Sequence, residues 1–151
     1  MKCCDNMDSE TKKAIIMEHY TNPLNRDTID DPNYIKINSN SETCIDNLDI
    51  YVLFNKDKIE DIHFNGEACA ISTSAASIMT RLFKDKTIKE AKDLINKYND
   101  MIETGKEYED LEEALAYSDI YKQANRKGCA TIPLIGLEKA INEYEKRRNR
   151  K

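Results

Sequence analysis

Three cysteines and one aspartate hold the chemistry this chain could perform. Cys44, Cys69 and Cys129 stand 25 and 60 residues apart, so no CxxC pair exists. Taken singly, each thiol reads most simply as a small buried hydrophobe. Their positions change that reading. In Thr43-Cys44-Ile45-Asp46 the first and third side chains of an extended segment point the same way, with Cα atoms roughly 6.5 Å apart, so Cys44 and Asp46 can converge on one ion. Cys69 follows a strand and opens a helix, and Cys129 lies just ahead of the final helix. A helix N-terminus favours the thiolate, the form that ligates metals and attacks sulfur. Three thiolates and a carboxylate suit a tetrahedral zinc site, with sulfur near 2.3 Å and oxygen near 2.0–2.2 Å from the metal.

The elements that must position these residues are legible in the hydropathy pattern. Residues 1–8 read as a polar tail carrying Cys3 and Cys4, to which no function is assigned. A helix capped near Asp8 or Ser9 carries Ile15, Ile16, His19 and Tyr20 and stops at Asn22-Pro23, because the residue before proline disfavours helix. A short strand is expected from Tyr34 to Ile37. Leu48, Ile50, Val52 and Phe54 alternate with Asp49, Tyr51, Leu53 and Asn55, the period of a strand with one buried face. Lys56-Asp57 turns the chain into a partner strand over residues 59–64, with Ile62 and Phe64 inward and His63 on the exposed face, where it is not expected to bind metal.

Helical patterns follow. Residues 69–83 are rich in Ala, Ser and Thr. Thr87-Ile88-Lys89-Glu90 is a capping box opening a helix expected to run to Tyr98. Residues 107–116 form another helix, and a last one is expected to start at Pro133, which suits a first helical turn. The whole is expected to be a single α+β domain over residues 1–151, a three-stranded antiparallel sheet packed against about five helices.

Composition excludes several functions. Lys and Arg number 23 against 28 Asp and Glu, for a net charge of -5, which argues against binding nucleic acid. The basic ending Lys146-Arg147-Arg148-Asn149-Arg150-Lys151 suits a helix C-terminus. Four glycines form no dinucleotide fingerprint, and Gly105-Lys106 lacks the remaining residues of a phosphate loop. No stretch is long and apolar enough for a membrane span, and no secretory signal precedes Cys3, so a reducing cytoplasmic setting is expected for the thiols.

The same motifs give the chain a family likeness. From about Ile16 to about Ala140 it resembles the iron–sulfur cluster assembly proteins of the IscU/SufU type (NifU N-terminal-like). The likeness rests on Glu18-His19-Tyr20-Thr21-Asn22-Pro23, Cys44-Ile45-Asp46, Gly66-Glu67-Ala68-Cys69-Ala70-Ile71-Ser72 and Arg126-Lys127-Gly128-Cys129-Ala130-Thr131. Three cysteine motifs in the family order make the likeness specific. Gly128 stands where IscU-type members place histidine, and the stretch from Tyr108 to Lys127 is long, so the chain looks like the SufU branch. Ile45 replaces the family's usual glycine, and Gly128 the lysine common in that branch.

The resemblance implies a zinc ion held by Cys44, Asp46, Cys69 and Cys129, with Arg126 in a supporting electrostatic role. It implies a partner, a pyridoxal-phosphate cysteine desulfurase of the SufS type, that delivers persulfide sulfur, with downstream iron–sulfur assembly or acceptor proteins receiving the product. Cys44 is expected to be the accepting thiol, because a loop supports it while helices fix Cys69 and Cys129. The alternatives are a scaffold on which a transient [2Fe–2S] cluster forms on the same residues, since thiolates suit both metals, and a structural zinc or adaptor protein. His19 is expected to pack or to meet the partner.

Overall fold

The computed structural model describes residues 8–40 and 46–149. Cys3, Cys4 and Cys44 lie outside the described residues. Elements follow the chain as α1 (Ser9–Thr21), β1 (Ile35–Asn40), β2 (Asn47–Asn55), β3 (Lys58–Glu67), α2 (Ala70–Leu82), α3 (Ile88–Thr104), two 3-10 helices (Glu109–Tyr117 and Ile120–Lys122) and α4 (Ala124–Asn149). The expected α+β class with a three-stranded antiparallel sheet is what the fold contains.

The sheet is a meander in the order β1-β2-β3. Ile37 faces Ile50 across the first pair, and Ile50 faces Phe64 across the second. The two-residue turn Lys56-Asp57 joins β2 to β3, with Lys56 at φ 58°. Leu48, Ile50 and Val52 are fully buried on the inner face beside Ile62 and Phe64. Tyr51, expected outward, is also buried, with the Lys36 ammonium 5.9 Å from its ring centroid. β1 runs to Asn40, and β3 spans three residues beyond the expected end at Phe64. Asn40 and Glu67, which end these extensions, each face Asn47, one residue after Asp46 in the chain, and Glu67 is two residues before Cys69.

α2 runs through the centre of the fold, and its residues Ile71 to Thr80 are all buried. Its Ala, Ser and Thr side chains are small enough for α1, α4 and the first 3-10 helix to approach it. Their hydroxyls must then find partners inside the protein. Ser74 donates to the Ala70 carbonyl at 2.7 Å, and Thr80 to the Ser77 carbonyl at 2.7 Å. The Ser77 hydroxyl meets His19 Nδ1 at 2.7 Å and accepts the Leu24 amide at 2.8 Å. His19 therefore packs, and its Nε2 reaches Glu113 at 3.1 Å.

Several boundaries differ from the sequence reading. The Thr87/Glu90 capping box is formed in both directions, but α3 continues past Tyr98 to Thr104. Met101 and Ile102 prolong its apolar face, and Gly105 at φ 82° ends it in the left-handed conformation. The helix expected over residues 107–116 is a 3-10 segment broken at Glu112, which has φ 52° and ψ -122°. His63 is not exposed: its ring is held between Asp27 and Asp61, at 2.5 and 2.7 Å.

The largest correction concerns Pro133. It does not begin the last helix but stands within α4, which starts at Ala124. Cys129 is consequently a residue of α4 and not of a loop before it. Among the described residues no helix is long and apolar enough to cross a membrane.

Candidate metal centre

Asp46, Cys69 and Cys129 come from three separate parts of the fold: the chain entering β2, the cap of α2, and α4. Their ligand atoms all lie within 4.8 Å of one another. Cys69 Sγ is 3.7 Å from Asp46 Oδ2. A tetrahedral zinc with sulfur at about 2.3 Å and oxygen at about 2.0 Å holds those two atoms roughly 3.5 Å apart. The donors present therefore fit a zinc ion in both type and spacing.

Local backbone chemistry explains the position of each. Cys69 is the N-cap of α2, with extended φ and ψ of -67° and 171°, and its sulfur accepts the Ser72 amide at 3.4 Å. The Cys69 amide in turn donates to Asp46 Oδ1 at 2.7 Å, so this carboxylate is tied to the start of the same helix. Gly66 makes the approach possible. It has φ 125°, and it faces Leu48 in the ladder, where a Cβ would stand 2.2 Å from the Asn47 carbonyl oxygen.

Asp46 is 1% exposed. Burial pushes its carboxyl up. The Cys69 amide, the Ser72 hydroxyl and the thiols of Cys129 and Cys69 all hydrogen-bond it, and together they hold it below the ordinary aspartate value. It is thus an anion kept in a buried pocket by donors, ready to accept a cation. Cys129 is buried at 6% exposure, reached through α4 rather than presented at a helix start.

Ser72 is the residue the sequence reading passed over. Its hydroxyl lies 2.7 Å from Asp46 Oδ2 and 2.8 Å from the Cys129 carbonyl oxygen, and the Cys69 thiol is 3.6 Å away. A serine three residues after a helix cap, inside a helix that is buried all round, was the available signal.

Arg126 is exposed on α4, three residues before Cys129. It lines a largely apolar cavity of about 410 Å³ with Lys13, Ile16, Ala70 and Ile71. Gly128, next to Cys129, has nothing within 4 Å of where a Cβ would stand. Replacing an open glycine within a helix should stabilise by about 0.5–1 kcal/mol. Gly128→Ala should therefore raise the melting temperature by about 1–4 °C, with zinc affinity unchanged in a chelator competition.

The sequence pattern of the NifU-like N terminal domain matches residues 11–151. The chain belongs to that family. Within it, the chain is 35% identical over 136 residues to the zinc-dependent sulfurtransferase SufU of Bacillus subtilis (strain 168), covering 88% of this chain and 90% of that one. It is 32% identical over 131 residues to the iron–sulfur cluster assembly scaffold protein IscU of Streptococcus pyogenes serotype M1, covering 85% and 80%. Among solved structures, that of FiSufU from the thermophile Fervidobacterium islandicum AW-1 superposes with a TM-score of 0.77 at 27% identity, over 84% of this chain and 93% of the other. The three-stranded sheet and surrounding helices are thus the NifU-like fold, and the likeness to the SufU branch is borne out.

Proposed function

We infer that this NifU-like protein is a zinc-bound sulfur acceptor in iron–sulfur cluster assembly. It takes persulfide sulfur from a pyridoxal-phosphate cysteine desulfurase and works in the cytoplasm. The observation that carries this reading is the convergence of Asp46, Cys69 and Cys129 within 4.8 Å. The Bacillus subtilis relative, named a zinc-dependent sulfurtransferase, supports it.

Cys44, two residues before Asp46 in the chain, is the fourth ligand of this reading. Zinc, when bound, keeps its cysteine ligands as thiolates at neutral pH. Asp46 contributes a carboxylate already ionised and oriented by the Cys69 amide. Cys69 and Cys129 are anchored by α2 and α4, and Cys44 is the accepting thiol of this reading. Its thiolate attacks the terminal sulfur of the desulfurase persulfide. A bond forms between Cys44 and that sulfur, the bond to the desulfurase cysteine breaks, and the desulfurase thiolate departs with the electron pair. In this reading Arg126, exposed on α4 three residues before Cys129, adds positive potential that favours the approach of an anionic persulfide.

The Streptococcus pyogenes relative, named a scaffold, supports a second reading in which a [2Fe–2S] cluster forms on the same residues. One experiment separates the readings: incubation with desulfurase and cysteine, followed by mass spectrometry of the thiols. A single additional sulfur on Cys44, absent in Cys44→Ser, is the expected result, with desulfurase stimulation lost in the same variant. Stimulation that survives Cys44→Ser but is lost in Cys129→Ser would assign the accepting role to Cys129. Iron and visible absorbance after anaerobic reconstitution, without persulfide, would favour the scaffold.

A further inference from the structure

Within α4 one backbone donor is missing at Pro133, and a side chain beside the candidate metal centre meets the carbonyl it would have served. In a regular helix the carbonyl of residue 129 accepts the amide of residue 133, but residue 133 is Pro133, which has no N–H. The oxygen that loses this donor belongs to Cys129, one of the three converging residues. The Ser72 hydroxyl lies 2.8 Å from it. Neighbouring carbonyls around the proline also receive side-chain donors: Tyr98 bonds the Ala130 oxygen at 2.7 Å, and Ser39 the Ile132 oxygen at 2.8 Å. Ser72 is distinct because its hydroxyl is also 2.7 Å from Asp46 Oδ2.

A serine hydroxyl has one proton, while both of these oxygens are acceptors. Ser72 can donate to the Asp46 carboxylate or to the Cys129 carbonyl, but not fully to both. We propose that Ser72 is a positioning residue that ties the metal centre to the proline position of α4, its single proton shared between the Asp46 carboxylate that it aims and the Cys129 carbonyl that Pro133 cannot serve. The part concerning metal rests on the zinc reading above. The part concerning Cys129 and Pro133 rests on the fold alone.

Two consequences follow from the geometry. Without the hydroxyl, Asp46 Oδ2 loses the donor that aims it, and the Cys129 carbonyl loses its replacement for the proline amide. Ser72 is 0% exposed, so water does not readily substitute. Replacing Pro133 by alanine supplies the missing amide and relieves only the second loss. Serine and proline should therefore be energetically coupled although they share no direct bond.

The test is a cycle of wild type, Ser72→Ala, Pro133→Ala and the double variant, each measured in two ways. Melting of the zinc-free proteins reads the backbone bond without metal. Ser72→Ala should lower the midpoint by about 4–8 °C, and by less than half as much when Pro133→Ala is present. Competition for zinc against a chromophoric chelator reads the metal arm. Ser72→Ala should weaken zinc binding about 10- to 100-fold, as loss of a supporting hydrogen bond does, and Pro133→Ala should leave it within about threefold. The double variant should bind zinc as weakly as Ser72→Ala, because the restored amide serves the Cys129 carbonyl and not Asp46.

Equal melting losses for Ser72→Ala in both proline backgrounds would overturn the coupling, and so would wild-type zinc affinity in Ser72→Ala. Failure of the wild-type protein to bind zinc would instead overturn the metal arm together with the zinc reading, and the melting cycle would still decide the backbone arm.

Discussion

Cys69→Ser should weaken zinc binding about a hundred- to a thousandfold while leaving the zinc-free protein folded. Binding of zinc to a four-ligand protein site is worth about 10–16 kcal/mol. One ligand's share is then about 2.5–4 kcal/mol, or two to three decades of affinity. What makes this residue informative is its second role. The Cys69 sulfur caps α2 by accepting the Ser72 amide at 3.4 Å, and serine is a preferred residue at a helix N-cap. The bond from the Cys69 amide to Asp46 Oδ1 uses the backbone and survives the exchange. Folding and metal binding therefore separate at this position. Chelator competition measures the first number, and thermal melting in excess chelator measures the second. A matching loss of zinc-free stability would make the thiol structural. Unchanged zinc affinity would remove Cys69 from the ligand set.

Gly66→Ala should do the reverse and unfold much of the protein, at a cost of about 3–5 kcal/mol out of the 5–15 kcal/mol typical of a native domain. Two penalties combine there. At φ 125° an L-side chain is strained, and its Cβ would stand 2.2 Å from the Asn47 carbonyl oxygen and 3.1 Å from Leu48 Cα. Both obstacles are backbone in the neighbouring strand, so no rotamer change relieves them. Relief requires separating β2 from β3 at the end where Asp46 enters, three residues before Cys69. Denaturant unfolding monitored by circular dichroism gives the stability. A variant as stable as wild type would show that this end of the sheet is not held as described. Gly128→Ala is the natural contrast, since there the added methyl meets open space.

Much of this architecture was readable from residue patterns. The buried face of Leu48, Ile50 and Val52, the Lys56-Asp57 turn and the Thr87/Glu90 capping box are local signals and form as expected, whereas Tyr51 is buried as well and the register shifts between Leu53 and Phe54. The stop at Asn22-Pro23 is local too, and α1 ends there with Asn22 as its C-cap. The errors occur where a local preference met a tertiary partner. α3 outlasts its expected end because its apolar face has a surface to cover, and the segment after Gly105 winds as 3-10 helix around a left-handed Glu112.

For the candidate site the division is equally physical. Residue types alone carry the donor chemistry: thiols and a carboxylate suit zinc whatever the fold, and Cys69 at the head of a small-residue helix follows from its neighbours. Distance along the chain carries no information about distance in space, so the meeting of Asp46, Cys69 and Cys129 had to await the fold. Pro133 makes the same point most sharply. Proline strongly disfavours a helix interior, and a reading of neighbours must place it at a helix start. The folded protein offsets that penalty with a hydroxyl 61 positions away in sequence (from Ser72 to Pro133), bonded to the one carbonyl the proline cannot serve. Propensities belong to segments, whereas compensation of this kind exists only once distant segments are in contact.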